Sequence, residues 1–224
     1  RFSAVMFDCD GVLVDSEAIT MRVLRQMLAD LGWELSEKEA LERFSGKSFV
    51  DEWRVIREHT GTRIDDKWIH RFRKRRNAAL KAELRPISGA RKAVDEIAKA
   101  LPGRIACVSI TDVKKIKLQL KLGGFGQVFG QNIFSGLDLP RNKPEPDIYL
   151  AAAAALGVDP RKAAVIEDSV TGVLSGVDSG ATVFGFAPPG RSHGTSSELL
   201  EAGAHHIFTD MADLPALVLE KTSK

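Results

Sequence analysis

At 224 residues and 44% hydrophobic content, the chain can bury a sizeable core, either as one large domain or as a domain carrying an insertion, which argues against disorder. The 32 Lys and Arg against 30 Asp and Glu leave a net charge of +2, so no overall field draws the protein to nucleic acid or an anionic membrane. No stretch approaches the roughly 20 apolar residues of a membrane span. Cys9 and Cys107 fall in or beside predicted strands and read as buried, reduced thiols of a cytoplasmic protein, not as a disulfide framework. The chain begins at Arg1 instead of methionine, which leaves room for a trimmed leader.

The first predicted strand, Ala4 to Phe7, runs straight into two carboxylates one residue apart, Asp8 and Asp10, followed by Gly11. Ionised carboxylates are costly to bury unpaired, so both must leave the sheet edge and meet something positive. From Ser16 to about Leu84 no strand pattern occurs. Ile19, Val23, Leu24, Met27, Leu28 and Leu31 recur at helical spacing, and Ser36 with Glu39 has capping-box form. Trp53 and Ile56, then Trp68, Ile69 and Phe72, mark further amphipathic helices divided at Thr60-Gly61. Ser45-Gly46-Lys47-Ser48 is a glycine-containing loop between two of them. Arg71, Arg73, Lys74, Arg75 and Arg76 form a basic run spread around a helix. Most of it should be solvated, with Arg75 or Arg76 the candidate to face a second anionic group on a ligand. No aromatic stripe interleaves it, so it does not read as a nucleic-acid site.

Pro86 and Gly89 close the helical segment, and an alternation of short apolar strands with longer helices begins. Predicted strands are Arg104 to Val108, Asn132 to Phe134, Ala163 to Ile166, Ala181 to Phe184 and His206 to Phe208. Predicted helices are Gly89 to Ala100, Val113 to Leu122, Asp147 to Leu156, Val170 to Ser179, Ser196 to Ala202 and Met211 to Leu219. Unbroken apolar strands alternating with helices specify an α/β fold, a doubly wound parallel sheet covered on both faces, with its ligand site off the carboxyl ends of the strands. The expected division is a core of residues 1–15 and 85–224 with a helical insertion of residues 16–84.

Three further stretches carry chemistry. Ile105 to Thr111 is a strand ending in hydroxyls before a helix, with Ser109 and Thr111 both able to cap it or meet an anion. Asn142-Lys143-Pro144-Glu145-Pro146-Asp147 fixes one lysine between prolines ahead of a helix. Ala164-Val165-Ile166-Glu167-Asp168-Ser169 is a strand running into two acids. The five histidines show no ligand spacing tied to these acids.

The stretch Phe7-Asp8-Cys9-Asp10-Gly11-Val12-Leu13-Val14-Asp15-Ser16-Glu17 closely resembles the signature of the haloacid dehalogenase-like (HAD) superfamily. The other three stretches follow in that family's order, so the resemblance covers nearly the whole chain. It points to the members with an inserted helical cap, similar to β-phosphoglucomutases and sugar phosphatases. The resemblance implies that Asp8 is the nucleophile and forms an aspartyl-phosphate, and that Asp10 is the general acid and base. Ser109 would hydrogen-bond the phosphoryl oxygens beside Ile110, and Lys143 would neutralise charge on Asp8 and the phosphoryl group. Asp168, Asp8 and the Asp10 backbone carbonyl would hold Mg²⁺, with Glu167 shaping the surroundings or holding Lys143; hard oxygen ligands favour that ion over zinc. Gly46, Lys47 and Ser48 would reach the substrate from the cap.

The implied activity is a Mg²⁺-dependent phosphatase hydrolysing a small phosphorylated metabolite, a sugar or sugar-acid phosphate. It would act as a monomer or weak homodimer in the cytoplasm, with no nucleic-acid or membrane partner. The alternatives are a phosphosugar mutase of the β-phosphoglucomutase type and a phosphonoacetaldehyde hydrolase-like enzyme. The first usually carries a His where this chain has Thr20. The second uses a cap lysine, for which Lys47 is the candidate, but generally lacks the second Asp, present here as Asp10.

Overall fold

The computed structural model describes residues 2–44, 52–190 and 194–219. The elements run β1 (Ala4–Asp8), α1 (Glu17–Ala29), α2 (Glu37–Phe44), α3 (Trp53–Thr60), α4 (Asp66–Glu83), α5 (Ala90–Ala100), β2 (Ile105–Ser109), α6 (Val113–Leu122) and β3 (Ile133–Ser135). They continue with α7 (Asp147–Ala155), β4 (Ala163–Glu167), α8 (Val170–Asp178), β5 (Thr182–Phe186), α9 (Ser196–Glu201), β6 (His206–Phe208) and α10 (Leu214–Leu219). The six strands form one parallel sheet in the order β3-β2-β1-β4-β5-β6. The chain winds outward through β2 and β3, then returns to place β4 on the other side of β1. That reversal opens a crevice at the carboxyl ends of β1, β2 and β4, where ligands of such sheets bind.

β1 is buried at every residue, because helices cover both faces of the sheet. Its alternate side chains separate into two cores, as the period of two along a strand requires. Val5 and Phe7 pack with Ile105, Cys107, Ala164 and Ile166 against α5, α6 and α10. Ala4 and Met6 pack with Ala106, Val108, Ala163 and Val165 against Ile148, Tyr149 and Ala152 of α7 and Val173 of α8. Each fully buried Val, Leu, Ile or Phe stabilises the fold by about 1.5–3 kcal/mol.

All six expected strands are present. β1, β2 and β4 extend to Asp8, Ser109 and Glu167, polar residues kept in the sheet because each finds buried partners there. The expected single helix from Met211 to Leu219 is instead a 3₁₀ turn, Met211–Asp213, followed by α10. Pro215 has no N–H to bond back to Met211, and is accommodated only in the first turn of a new helix.

Helices α1 to α4, all between β1 and β2 in the chain, have a third core of their own, built on Leu24, Leu28, Trp33, Phe44, Ile56, Trp68 and Phe72. The chain leaves the sheet and returns to it side by side: Asp15 N–H donates to the Arg85 carbonyl at 2.9 Å and Ile87 N–H to the Leu13 carbonyl at 2.9 Å.

Candidate active site

Asp8, the last residue of β1, and Asp168, just past β4, stand on neighbouring strands and meet across the loop that follows β1. Gly11 turns that loop with φ 89°, and a β-carbon there would lie 1.8 Å from Asp168 Oδ2. Only glycine lets the Asp168 carboxylate rest against the loop.

Lys143 sits ahead of α7 and is buried. Its ammonium donates to Asp8 Oδ1 and to Glu167 Oε1, each at 2.6 Å. Glu167 is fully buried at the end of β4 and is gripped from several sides. The Tyr149 hydroxyl donates to Oε1 at 2.7 Å, while Asp168 N–H at 3.2 Å and the Ser169 hydroxyl at 3.1 Å donate to Oε2. The expectation that Glu167 holds Lys143 matches this geometry. Burial drives the Asp8 carboxyl well above the usual carboxylate range, and Glu167 and Asp10 add to this against the opposing pull of Lys143. Lys143 moves up in spite of its burial, because Asp8 and Glu167 face it.

Carboxylate oxygens of Asp8, Glu167 and Asp168 lie within 4.8 Å of one another, all buried. The donors are hard carboxylate oxygens, a set that a small oxygen-seeking dication such as Mg²⁺ would fit. The side chain of Asp10 is not among these donors.

The Asp10 side chain is held elsewhere. Its Oδ1 accepts from Lys115 Nζ at 2.6 Å, from Gln119 Nε2 at 2.8 Å and from the Ser16 hydroxyl; its Oδ2 accepts from the Ser109 hydroxyl at 3.0 Å. Burial opposes its charge, but Lys115 and the hydrogen bonds from Ser16 and Gln119 prevail and hold it well below the usual carboxylate range. Sequence reasoning missed Lys115 and Gln119. Their i,i+4 spacing on one face of α6 was the available signal, though many helices carry such a pair. The cap of α6 is neither Ser109 nor Thr111 but Asp112, whose carboxylate accepts from Lys115 N–H at 2.9 Å.

The three strand-end stretches and the Lys143 loop therefore converge. A model of the haloacid dehalogenase-like hydrolases matches residues 2–180. The chain belongs to this family. Among HAD relatives, it is 33% identical over 189 residues to 6-phosphogluconate phosphatase of Escherichia coli strain K12, covering 83% of each chain. It is 31% identical over 179 residues to hexitol phosphatase B of the same strain, covering 77% of this chain and 78% of that one. A HAD hydrolase from Deinococcus radiodurans R1, solved with bound phosphate and sodium, superposes with a TM-score of 0.76 at 33% identity, covering 97% and 95% of the two chains.

The HAD site opens into a pocket between the sheet edge and the helices α1 and α4. Asp8, Asp10, Lys115, Lys143 and Asp168 line its floor, beside Ile110 and Thr111. Ile110 is also fixed through its backbone carbonyl, which accepts from Asn142 Nδ2 at 3.1 Å. Ser109 is fully buried, with its hydroxyl engaged by Asp10. Gly46, Lys47 and Ser48 lie outside the described residues. Of the two candidates in the basic run, Arg76 is the one at the pocket, while Arg75 pairs with Asp30 at 3.1 Å on the exposed side of α4. Arg76 and Arg73, three residues apart and hence on one helix face, line the pocket instead.

Proposed function

We propose that this HAD enzyme is a Mg²⁺-dependent phosphatase that hydrolyses a small phosphorylated sugar through an aspartyl-phosphate on Asp8. The observation that carries the reading is the buried Lys143 ammonium 2.6 Å from Asp8, with Asp168 in the same carboxylate cluster. Attack by a carboxylate on a phosphoryl group brings like charges together and requires positive charge on both. Magnesium, held by Asp8, Asp168 and the Asp10 carbonyl, would supply the charge that keeps Asp8 ionised and offsets that of the phosphoryl oxygens.

Asp8 attacks phosphorus and the bond to the sugar oxygen breaks, leaving the phosphoryl group on Asp8. Asp10 protonates the departing oxygen, for which it must first take up a proton against the Lys115 ammonium that holds it ionised in the free protein. Asp10 then removes a proton from the water that attacks the phosphoenzyme, which releases inorganic phosphate and regenerates Asp8. Lys143, fixed by Glu167, remains beside the transferring group throughout.

Residues 16–84 act as the helical cap and residues 1–15 and 85–224 as the catalytic core; the separate apolar core of α1 to α4 supports that division. The phosphatases of E. coli to which the chain is similar support hydrolysis of a sugar phosphate. The two free, buried thiols suit a reducing compartment. The test is release of phosphate from a panel of sugar phosphates and an aryl phosphate with Mg²⁺. Asp8→Asn and chelation should each abolish it, and activity surviving either would refute the mechanism.

A further inference from the structure

On the phosphatase reading, the floor of the pocket takes the phosphoryl group, and the wall opposite must read the rest of the substrate. That wall comes from α1, the end of α2 and α4: Met21, Leu24, Phe44 and Phe72 are apolar, Thr20, Glu17 and the two arginines are not. Arg76 is already committed. Its side chain is 3% exposed, it donates to Asn77 Oδ1 at 2.9 Å and to Asp112 Oδ2 at 3.2 Å, and it lies over the Phe72 ring. Arg73 is different. Its side chain is 41% exposed, and among the described residues its guanidinium has one partner, the same Asp112 carboxylate at 3.7 Å, too far for a hydrogen bond. A planar fork of five donors thus faces the cavity with none of them satisfied by a short contact. One turn along α1 from the motif, the Thr20 hydroxyl is likewise buried in the pocket with no hydrogen-bond partner among the described residues.

A guanidinium whose one partner is a long contact and an unfilled hydroxyl, set opposite a phosphoryl site in a mixed wall that also carries Glu17, Asp112 and the paired Arg76, fit a ligand with an anionic far end and hydroxyls between. We propose that the substrate is a phosphorylated sugar acid, whose carboxylate is bound by Arg73 and one of whose hydroxyls is bound by Thr20. A carboxylate matches the guanidinium fork with two parallel hydrogen bonds. A second phosphate would bring a dianion to a wall whose other cation is buried and already paired.

The experiment compares kcat and KM, with Mg²⁺, for a six-carbon aldonic acid 6-phosphate, the alditol 6-phosphate of the same length, a sugar bisphosphate and p-nitrophenyl phosphate. The wild-type protein should favour the acid over the alditol by about 10- to 100-fold in kcat/KM, mostly through KM, as befits one charged hydrogen-bonded contact. Arg73→Gln should bring that ratio towards one by raising KM for the acid, and Arg73→Lys should retain part of it. Calorimetry on Asp8→Asn should show the same order of binding without turnover. Equal use of acid and alditol, preference for the bisphosphate, or an equal loss on both substrates in Arg73→Gln overturns the assignment while p-nitrophenyl phosphate turnover leaves the phosphatase reading standing. No phosphate release even from p-nitrophenyl phosphate overturns both.

Discussion

A β-carbon on Gly172 would stand 2.0 Å from the carboxyl carbon of Glu167 and 2.0 and 2.1 Å from its two oxygens. The missing side chain in the first turn of α8 is the space in which Glu167 lies, and through Glu167 it sets the position of Lys143.

Gly172→Ala should therefore push the Glu167 carboxylate aside and Lys143 with it. Alanine is favoured over glycine in a helix by about 1 kcal/mol, so the fold should persist. A displacement of this size at the reacting centre should lower kcat by about 100-fold or more. Steady-state kinetics alongside a thermal melt separates the two effects; an unchanged kcat would mean that Glu167 does not position Lys143.

The raised Asp8 carboxyl has a definite pH signature in the metal-free protein. A carboxyl raised on folding stabilises the fold fully below its unfolded pKa of about 3.9, and that contribution is lost as pH rises through the folded value. Melting in chelator should fall as pH rises through the raised Asp8 value, Mg²⁺ should reverse the fall, and Asp8→Asn should flatten it. A melting temperature in chelator that is independent of pH at that carboxyl would contradict the account.

Lys115 gives the opposite sign at Asp10. A depressed carboxylate stabilises the fold above its unfolded pKa and loses that stability as pH falls through the folded value. Lys115→Met should raise the Asp10 pKa, which carbon NMR of its carboxyl would read directly. It should also cost up to about 3–5 kcal/mol, less to the extent that Ser16, Gln119 and Ser109 still serve Asp10. An unmoved Asp10 titration would show that the Lys115 contact is incidental.

Tyr149→Phe removes one donor from Glu167 and leaves Lys143 and Ser169 in place. The cost should be about 1–3 kcal/mol in stability, measured by denaturant melts, with kcat reduced severalfold and not abolished. A loss as deep as that of Gly172→Ala would mean that Tyr149 does more than brace the carboxylate.

The strands were legible because central parallel strands are apolar along their whole length, and β1, β2 and β4 each end at a polar residue. Asp8, Lys143 and Asp168 could be named through their match to the haloacid dehalogenase-like motifs, taken as an ordered set, since a single loop lysine or strand-end acid is by default a solvated residue. Lys115, Gln119 and Arg73 could not. They lie on ordinary amphipathic helices, where a lysine, glutamine or arginine is normally solvated, and nothing local distinguishes the ones that turn inward. Arg75 and Arg76 could not be told apart within the basic run because spacing identifies which residues share a helix face but not which face meets the pocket.

By itself the sequence determined the sheet, its covering helices, the inserted helical segment and the four acid, hydroxyl and lysine stretches, since hydrophobic period and turn chemistry are local properties of the chain. Only the tertiary structure decided which donors hold Asp10, that Gly172 makes room for Glu167, and that Arg73 faces the cavity. Those relationships join residues far apart in the chain, and their energies depend on burial and on distances of a few ångströms that exist only once the helices have packed.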